Sequence, residues 1–298
     1  MDIKAIFLGV AFAAMWSSAF TSARVIVEYA PPLTALTARF ALSGIVACAI
    51  AFAMGQHARL TRQQWRAVLI FGVCQNALYL GMNFMAMRTV EASLASIIAS
   101  TMPLMVGLAG WLVFGRRLPK LGTLGLIVGF VGVAIIMSAR LGAGSDPVGM
   151  LLCIAAAVSI TVATLAMAGA SSGGNLMMIV GLQMWVGALC CVVPAVLFET
   201  HSFDLSAPRL WVAFGYTVLV PGVLATLVWF WLVDRIGAVK AATFHFLNPF
   251  LGVLIAALLL GEGIRGTDML GVAIIAAGIL AVQLSKQTAS PTPKPPAA

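Results

Sequence analysis

The chain has 298 residues, 62% hydrophobic and 9% charged, with a strongly positive mean hydropathy, which excludes a soluble domain and indicates an integral membrane protein. Its net charge of +8 resembles that of a nucleic-acid binder, but the basic residues sit at the ends of apolar segments, so no nucleic-acid partner is expected. Cys48, Cys74, Cys153, Cys190 and Cys191 all fall inside apolar runs without ligand spacing, which indicates neither a disulfide framework nor a metal site.

Ten apolar spans are expected, at roughly 5–23, 33–54, 67–87, 93–114, 121–138, 148–169, 175–198, 210–232, 240–261 and 268–285. Short loops between them leave no room for a separate soluble domain. Lys4 before an apolar run, with small residues near Ser22, imitates a signal peptide. Removing that first span would break a repeat of five spans plus five, so it is read as a permanent helix.

Span one carries Trp16, Ser17, Ser18, Thr21 and Ser22 in its outer half. Small hydroxyl residues let helices approach closely, and the alternative is that Trp16 and Ser17 line a cavity. Span two opens with Pro31 and Pro32 and has Arg39 about two turns in. Either Arg39 snorkels to the headgroups or pairs with Glu28, or it captures a substrate carboxylate. Span three places Asn76, Tyr79 and Asn83 on one helical face with Gln75 alongside. That stripe is costly against lipid, so it bonds neighbouring helices or lines a wet cavity. Span four has Pro103 near its middle, with Ser93, Ser96 and Ser100 leading to it. Span five holds Gly122, Gly125, Gly129 and Gly132, and span ten keeps Gly271 and Gly278. These are read as packing surfaces, with a dimer face as the alternative and a monomer expected.

Span six brings Ser159, Thr161 and Thr164, and residues 170–175 form an uncharged turn. Span seven contributes Gln183 and Trp185. Span eight breaks at Pro221-Gly222 and ends in Trp229, Phe230 and Trp231, where interfacial anchoring competes with substrate contact. Span nine has the strongest oddity, with Phe244, His245, Asn248 and Pro249 together near its middle. Pro249 cannot donate to the His245 carbonyl four residues back, so a backbone acceptor is expected to be free at bilayer depth. Beyond Ser285 the chain is Pro-rich, and residues 287–298 are expected to be a disordered cytoplasmic tail.

A shift of 146 positions lays Trp65 on Trp211, Phe84 on Phe230, Pro103 on Pro249, Gly115 on Gly261, Gly125 on Gly271 and Gly132 on Gly278. Trp, Pro and Gly in one register indicate two homologous halves, 1–142 and 143–286. Five spans per half is an odd number, so the second half enters the membrane from the opposite side. The fold class is therefore all-α, ten transmembrane helices in two inverted five-helix repeats, an arrangement of secondary transporters with the substrate site near the midplane. Lys4, Arg59, Arg62, Arg66, Arg116, Arg117, Lys120, Arg235, Lys240, Lys286 and Lys294 share one side and outnumber Arg24, Arg88, Arg140, Arg209 and Arg265 on the other. The positive-inside rule then places both termini in the cytoplasm and the protein in an inner (plasma) membrane.

The motifs WSSAF in span one, PPLTALTARF opening span two, ASLASIIASTMPL into span four and AVKAATFHFLNPFLGVLIAALLLGE through span nine resemble those of the EamA family of the drug/metabolite transporter superfamily. The resemblance covers nearly the whole chain, and within the family it is similar to aromatic amino-acid exporters of the YddG type. It implies ten helices in inverted repeats and export of small metabolites by alternating access. The family ends spans four and nine with Gly-Glu; Glu262 keeps this, whereas the first repeat has Gly115-Arg116.

Every carboxylate lies at a span end or in a loop, so no intramembrane acid offers itself to a coupling ion, and a facilitative exporter is expected. His245 is the one titratable candidate at the midplane, and a proton-coupled drug or cation carrier using it is the alternative. Asn76, Tyr79, Asn83, Ser100, His245 and Asn248 could meet the polar ends of a small-molecule substrate such as an amino acid, and Trp16, Ser17, Trp185 and Phe244 complete the candidate wall, beside helix breaks at Pro103, Pro221 and Pro249. No cofactor or metal is called for. An intramembrane enzyme would have to use His245 without any nucleophile motif, and a channel remains the other competing class.

Overall fold

Ten helices long and apolar enough to cross a membrane organise the computed structural model, which describes residues 2–115, 118–166, 173–200 and 203–288. They are α1 (Ile3–Tyr29), α2 (Pro32–Ala53), α3 (Arg62–Ala86), α4 (Ala92–Val113), α5 (Lys120–Gly142), α6 (Pro147–Ala166), α7 (Leu176–Phe198), α8 (Pro208–Ile236), α9 (Ala242–Leu260) and α10 (Gly266–Ser285). The ten expected spans fall on these helices with ends displaced by a few residues. Helix continues past α10 to Thr288, into the expected tail, and residues 289–298 lie outside the described residues, as does the first half of the expected turn at 170–175.

Local chemistry sets the boundaries. Asp2 caps α1, and a capping box between Thr61 and Gln64 starts α3. Pro32 and Pro208 stand in the first turns of α2 and α8, where their missing N–H costs nothing. Gly115 and Gly261 end α4 and α9 with φ of +60° and +69°, and they are mates under the 146-residue shift.

The two tightest helix pairs join shift mates, α2 to α7 and α5 to α10. In the second pair, a Cβ on Gly125 would stand 2.8 Å from the Gly278 carbonyl oxygen, and one on Gly132 would stand 2.9 Å from that of Gly271. Gly125 and Gly271 are mates, as are Gly132 and Gly278, so the same contact is made twice about an approximate two-fold, with the helices antiparallel. The pair α2·α7 is antiparallel as well. Glu199, just past α7, accepts from the backbone N–H groups of Leu33 (2.7 Å) and Thr34 (2.8 Å) at the start of α2. At the other end Gln56, just past α2, accepts from Met178 N–H (3.0 Å) in the first turn of α7.

Four helices are irregular, again as two mated pairs. Helices α3 and α8 contain π-helical segments, Gly72–Leu80 and Val220–Leu224. Helix α4 turns at Ser100 and Thr101 ahead of Pro103, and α9 begins with a 3-10 segment, Ala242–Leu247, ahead of Pro249. That segment corrects one expectation: the His245 carbonyl is not free, because tighter 3-10 winding brings Asn248 N–H to it.

Candidate functional site

A cavity of about 70 Å³ lies in the middle of the bundle, walled by α1, α2, α3, α7 and α8. The π-helical winding of α3 supplies one wall. Gln75, Asn76, Tyr79, Leu80 and Asn83 lie on one side of this helix and line the cavity together. Asn76 Nδ2 donates to the Gln183 carbonyl on α7 (2.8 Å), and Asn83 Nδ2 donates to the Tyr79 carbonyl (2.8 Å). Within the π segment the Cys74 carbonyl also accepts from the Ser159 hydroxyl of α6 (2.8 Å).

The opposite wall depends on Pro221. Lacking an N–H, it leaves the Thr217 carbonyl on α8 without its helical donor. Arg39 Nε on α2 reaches that oxygen at 3.4 Å, and Ser43, one turn on, donates to the neighbouring Val218 carbonyl at 3.1 Å. A Cβ on Gly222 would stand 2.8 Å from Ser43 Oγ, so glycine permits the approach. Arg39 is thereby held at 5% exposure against the cavity, instead of snorkelling. Nor does it pair with Glu28, which bridges to Arg24 at 3.7 Å.

Beside this cavity, toward the end of the bundle that carries both termini, lies an aromatic cluster. Phe12 and Trp229 stack with centroids 4.7 Å apart, and His245 meets both at 5.5 Å and Trp16 at 6.4 Å. Its Nδ1 is 3.0 Å from Asn248 Nδ2, while the Ser17 hydroxyl donates to the Asn248 carbonyl at 3.2 Å, tying α1 to the broken start of α9. Trp16 belongs to both groups, lining the cavity on one side and bordering the cluster on the other.

The expected site residues are therefore divided. Trp16, Asn76, Tyr79, Asn83 and Pro221 line the cavity. Ser17, His245 and Asn248 form the adjoining cluster, joined through the Asn248 carbonyl and Nδ2 while Asn248 Oδ1 stays buried without a partner, and Phe244 packs against Gly9 and the small cluster of Ala5, Leu232 and Ala241. Ser100 is buried on α4 and donates to its own helix at Ser96 (2.7 Å). Trp185 is 38% exposed and covers Gly44 of α2 outside the cavity. Pro103 and Pro249 sit in α4 and α9, whose crossing is closed by Ser96 against Gly252. Of the two terminal tryptophans of α8, Trp229 turns inward and Trp231 outward. Phe20, Phe40, Phe84, Met184 and Thr226 also line the cavity and were not singled out from sequence. Four of the five are apolar side chains, and for these composition offers no contrast between a cavity wall and a lipid face.

The sequence model of the EamA-like transporter family matches residues 3–138 and again residues 147–284. The uncharacterized transporter YvbV of Bacillus subtilis is 27% identical over 90% of this chain and 88% of its own length. The uncharacterized inner membrane transporter YedA of Escherichia coli K12 is 24% identical over 91% and 88%. A similar solved structure, described only as a crystal structure of protein, superposes with a TM-score of 0.67 at 21% identity, over 94% of this chain and 98% of that one. At that identity it speaks for the fold alone.

Proposed function

The chain belongs to the EamA-like transporter family, and from that premise we propose that it exports small metabolites, specifically amino acids with aromatic or other uncharged side chains, by alternating access without ion coupling. As a family member it is a multi-pass membrane transporter and not an enzyme. What carries the reading is the mid-bundle cavity, which combines amide and hydroxyl groups from α3 with a wall of Trp16, Phe20, Phe40 and Phe84. A solute with one polar and one apolar end fits such a lining.

The irregular helices suit alternating access. In α8 and α9 the π and 3-10 segments interrupt the regular α-helical ladder, so each half can tilt while the packed pairs α2·α7 and α5·α10 keep their shape. In this structure Phe12, Trp16, Trp229 and His245 are stacked across the side nearer the termini. Parting those rings would open the cavity toward that side. With the termini placed in the cytoplasm of an inner-membrane protein by the positive-inside rule, that is the side from which an exported solute would enter. The repeat boundaries 1–142 and 143–286 and a monomeric state belong to the same proposal.

Absence of ion coupling is supported by the lining, in which no Asp or Glu of the described residues appears. The test is flux in proteoliposomes driven by a substrate gradient alone. Saturable flux at equal pH on both sides is the expected result. Strict dependence on an imposed pH gradient would reject the facilitative reading and favour a carrier using His245.

A further inference from the structure

Arg39 is a cation set into the cavity wall without an anion. Among the described residues there are four ion pairs, and none includes it. Its one hydrogen bond goes from Nε to a backbone carbonyl, which leaves the two terminal nitrogens of the guanidinium directed to no protein acceptor among those residues. Its carbon stands 5.4 Å from the centre of the Phe40 ring, but burying a guanidinium without an anionic partner is expensive, and the planar fork is matched in geometry by a carboxylate. A second unpartnered group belongs to a residue of the same lining: Asn83 Oδ1 is buried just behind the cavity surface and accepts no hydrogen bond, although the same amide donates through Nδ2. One wall thus offers spare donors and the other a spare acceptor, with apolar rings between.

We propose that Arg39 anchors the carboxylate of the transported solute and that Asn83 Oδ1 accepts from its ammonium group, so that the protein selects zwitterionic α-amino acids and rejects the corresponding amines and lipophilic cations. This rests on the reading of the cavity as the transport site. The guanidinium supplies two parallel N–H bonds to one end of the solute. The amide orients the other end, and the side chain lies along Trp16, Phe20 and Phe84. A cationic drug would meet a like charge with no acid to offset it, so cations are excluded by electrostatics and not by size.

The test is counterflow of labelled L-phenylalanine and L-leucine in proteoliposomes of the full chain, with unlabelled competitors. With unmodified protein, each amino acid should compete, while phenethylamine and 3-methylbutylamine should be at least 100-fold weaker. Arg39→Gln should weaken amino-acid competition by a similar factor, Arg39→Lys should recover part of it, and Asn83→Leu should cost about tenfold. Monodispersity and Tm of each variant in detergent separate lost binding from lost fold, and the competitor arm needs no variant at all. Amines competing as well as amino acids, or Arg39→Gln leaving affinity unchanged in a folded protein, would overturn the assignment while leaving the carrier reading intact. No saturable flux with any solute would bring down the carrier reading, and this inference with it.

Discussion

Among the described residues two arginines are buried in this bundle, and their surroundings differ completely. Arg140, at the end of α5, is 1% exposed and held by Asp268 of α10 through two bonds, Nε to Oδ1 at 3.1 Å and a terminal nitrogen to Oδ2 at 2.6 Å. It also pairs with Glu91 at the start of α4, and Glu262 takes the next two N–H groups of that helix at 2.7 and 2.9 Å. Arg39 has one carbonyl and no acid. The contrast teaches what each region is for. The Arg140 cluster is a completed network that fixes three helix ends, whereas the Arg39 wall is incomplete and polarised, as a wall that receives a ligand has to be.

The contrast would break first at Arg140. Replacing it with Gln leaves Asp268 buried and unpaired, so a loss of about 3–5 kcal/mol is expected, read as a collapse of Tm or failure to purify folded protein. An unchanged Tm would make the network ornamental. Next comes the seam it closes. In Gly278→Val, the added atoms would lie within 2.6 Å of backbone at Gly125 and Gly129, which cannot step aside, and a loss of about 1–3 kcal/mol is expected in thermal unfolding. The matching change at Gly110, where a Cβ meets nothing, should be close to neutral in the same assay.

Arg39→Gln should behave unlike Arg140→Gln. Removing an uncompensated charge should leave the unliganded protein as stable as before, or more stable by about 1 kcal/mol. A drop matching that of Arg140→Gln would show that the guanidinium holds the fold and would erase the distinction. The smallest effect lies at the loop carboxylate Asp146, which caps α6 through Val148 and Gly149 N–H. The Thr89 hydroxyl bonded to it holds its pKa below the usual carboxylate value. A depressed folded-state pKa means the contribution is present above the unfolded-state value of about 4 and fades as pH falls through the lower folded-state value. The Tm gap between the unmodified protein and Asp146→Asn should therefore be constant near neutral pH and shrink below about pH 4.

How far the site was legible varies residue by residue. Asn76, Tyr79 and Asn83 could be read because helical spacing gathers polar groups into a stripe that apolar surroundings make conspicuous. Their partner Gln183 was visible as a lone amide, but its place opposite Asn76 was not. His245 and Asn248 were the most conspicuous pair in the chain and pointed toward substrate, yet their nearest polar partners are each other, since the 3-10 segment stacks them within 3.0 Å. Trp185 was chosen by residue type and Ser100 as the end of a serine stripe leading to Pro103, and neither signal says which way a side chain turns. Asp268 and Arg140 read as loop charges at span ends, because a pairing across so much sequence leaves no local trace.

From the sequence alone followed ten helices, a doubled pattern under one shift and the positions of the helix-breaking prolines, because apolar length, Gly and Pro act through the local backbone. Only the tertiary structure decided which mates pack together, that Pro221 hands a carbonyl to Arg39, and that one buried arginine is paired while the other is not. Hydropathy is a property of each residue taken singly. Charge compensation is a property of which side chains meet across the bundle.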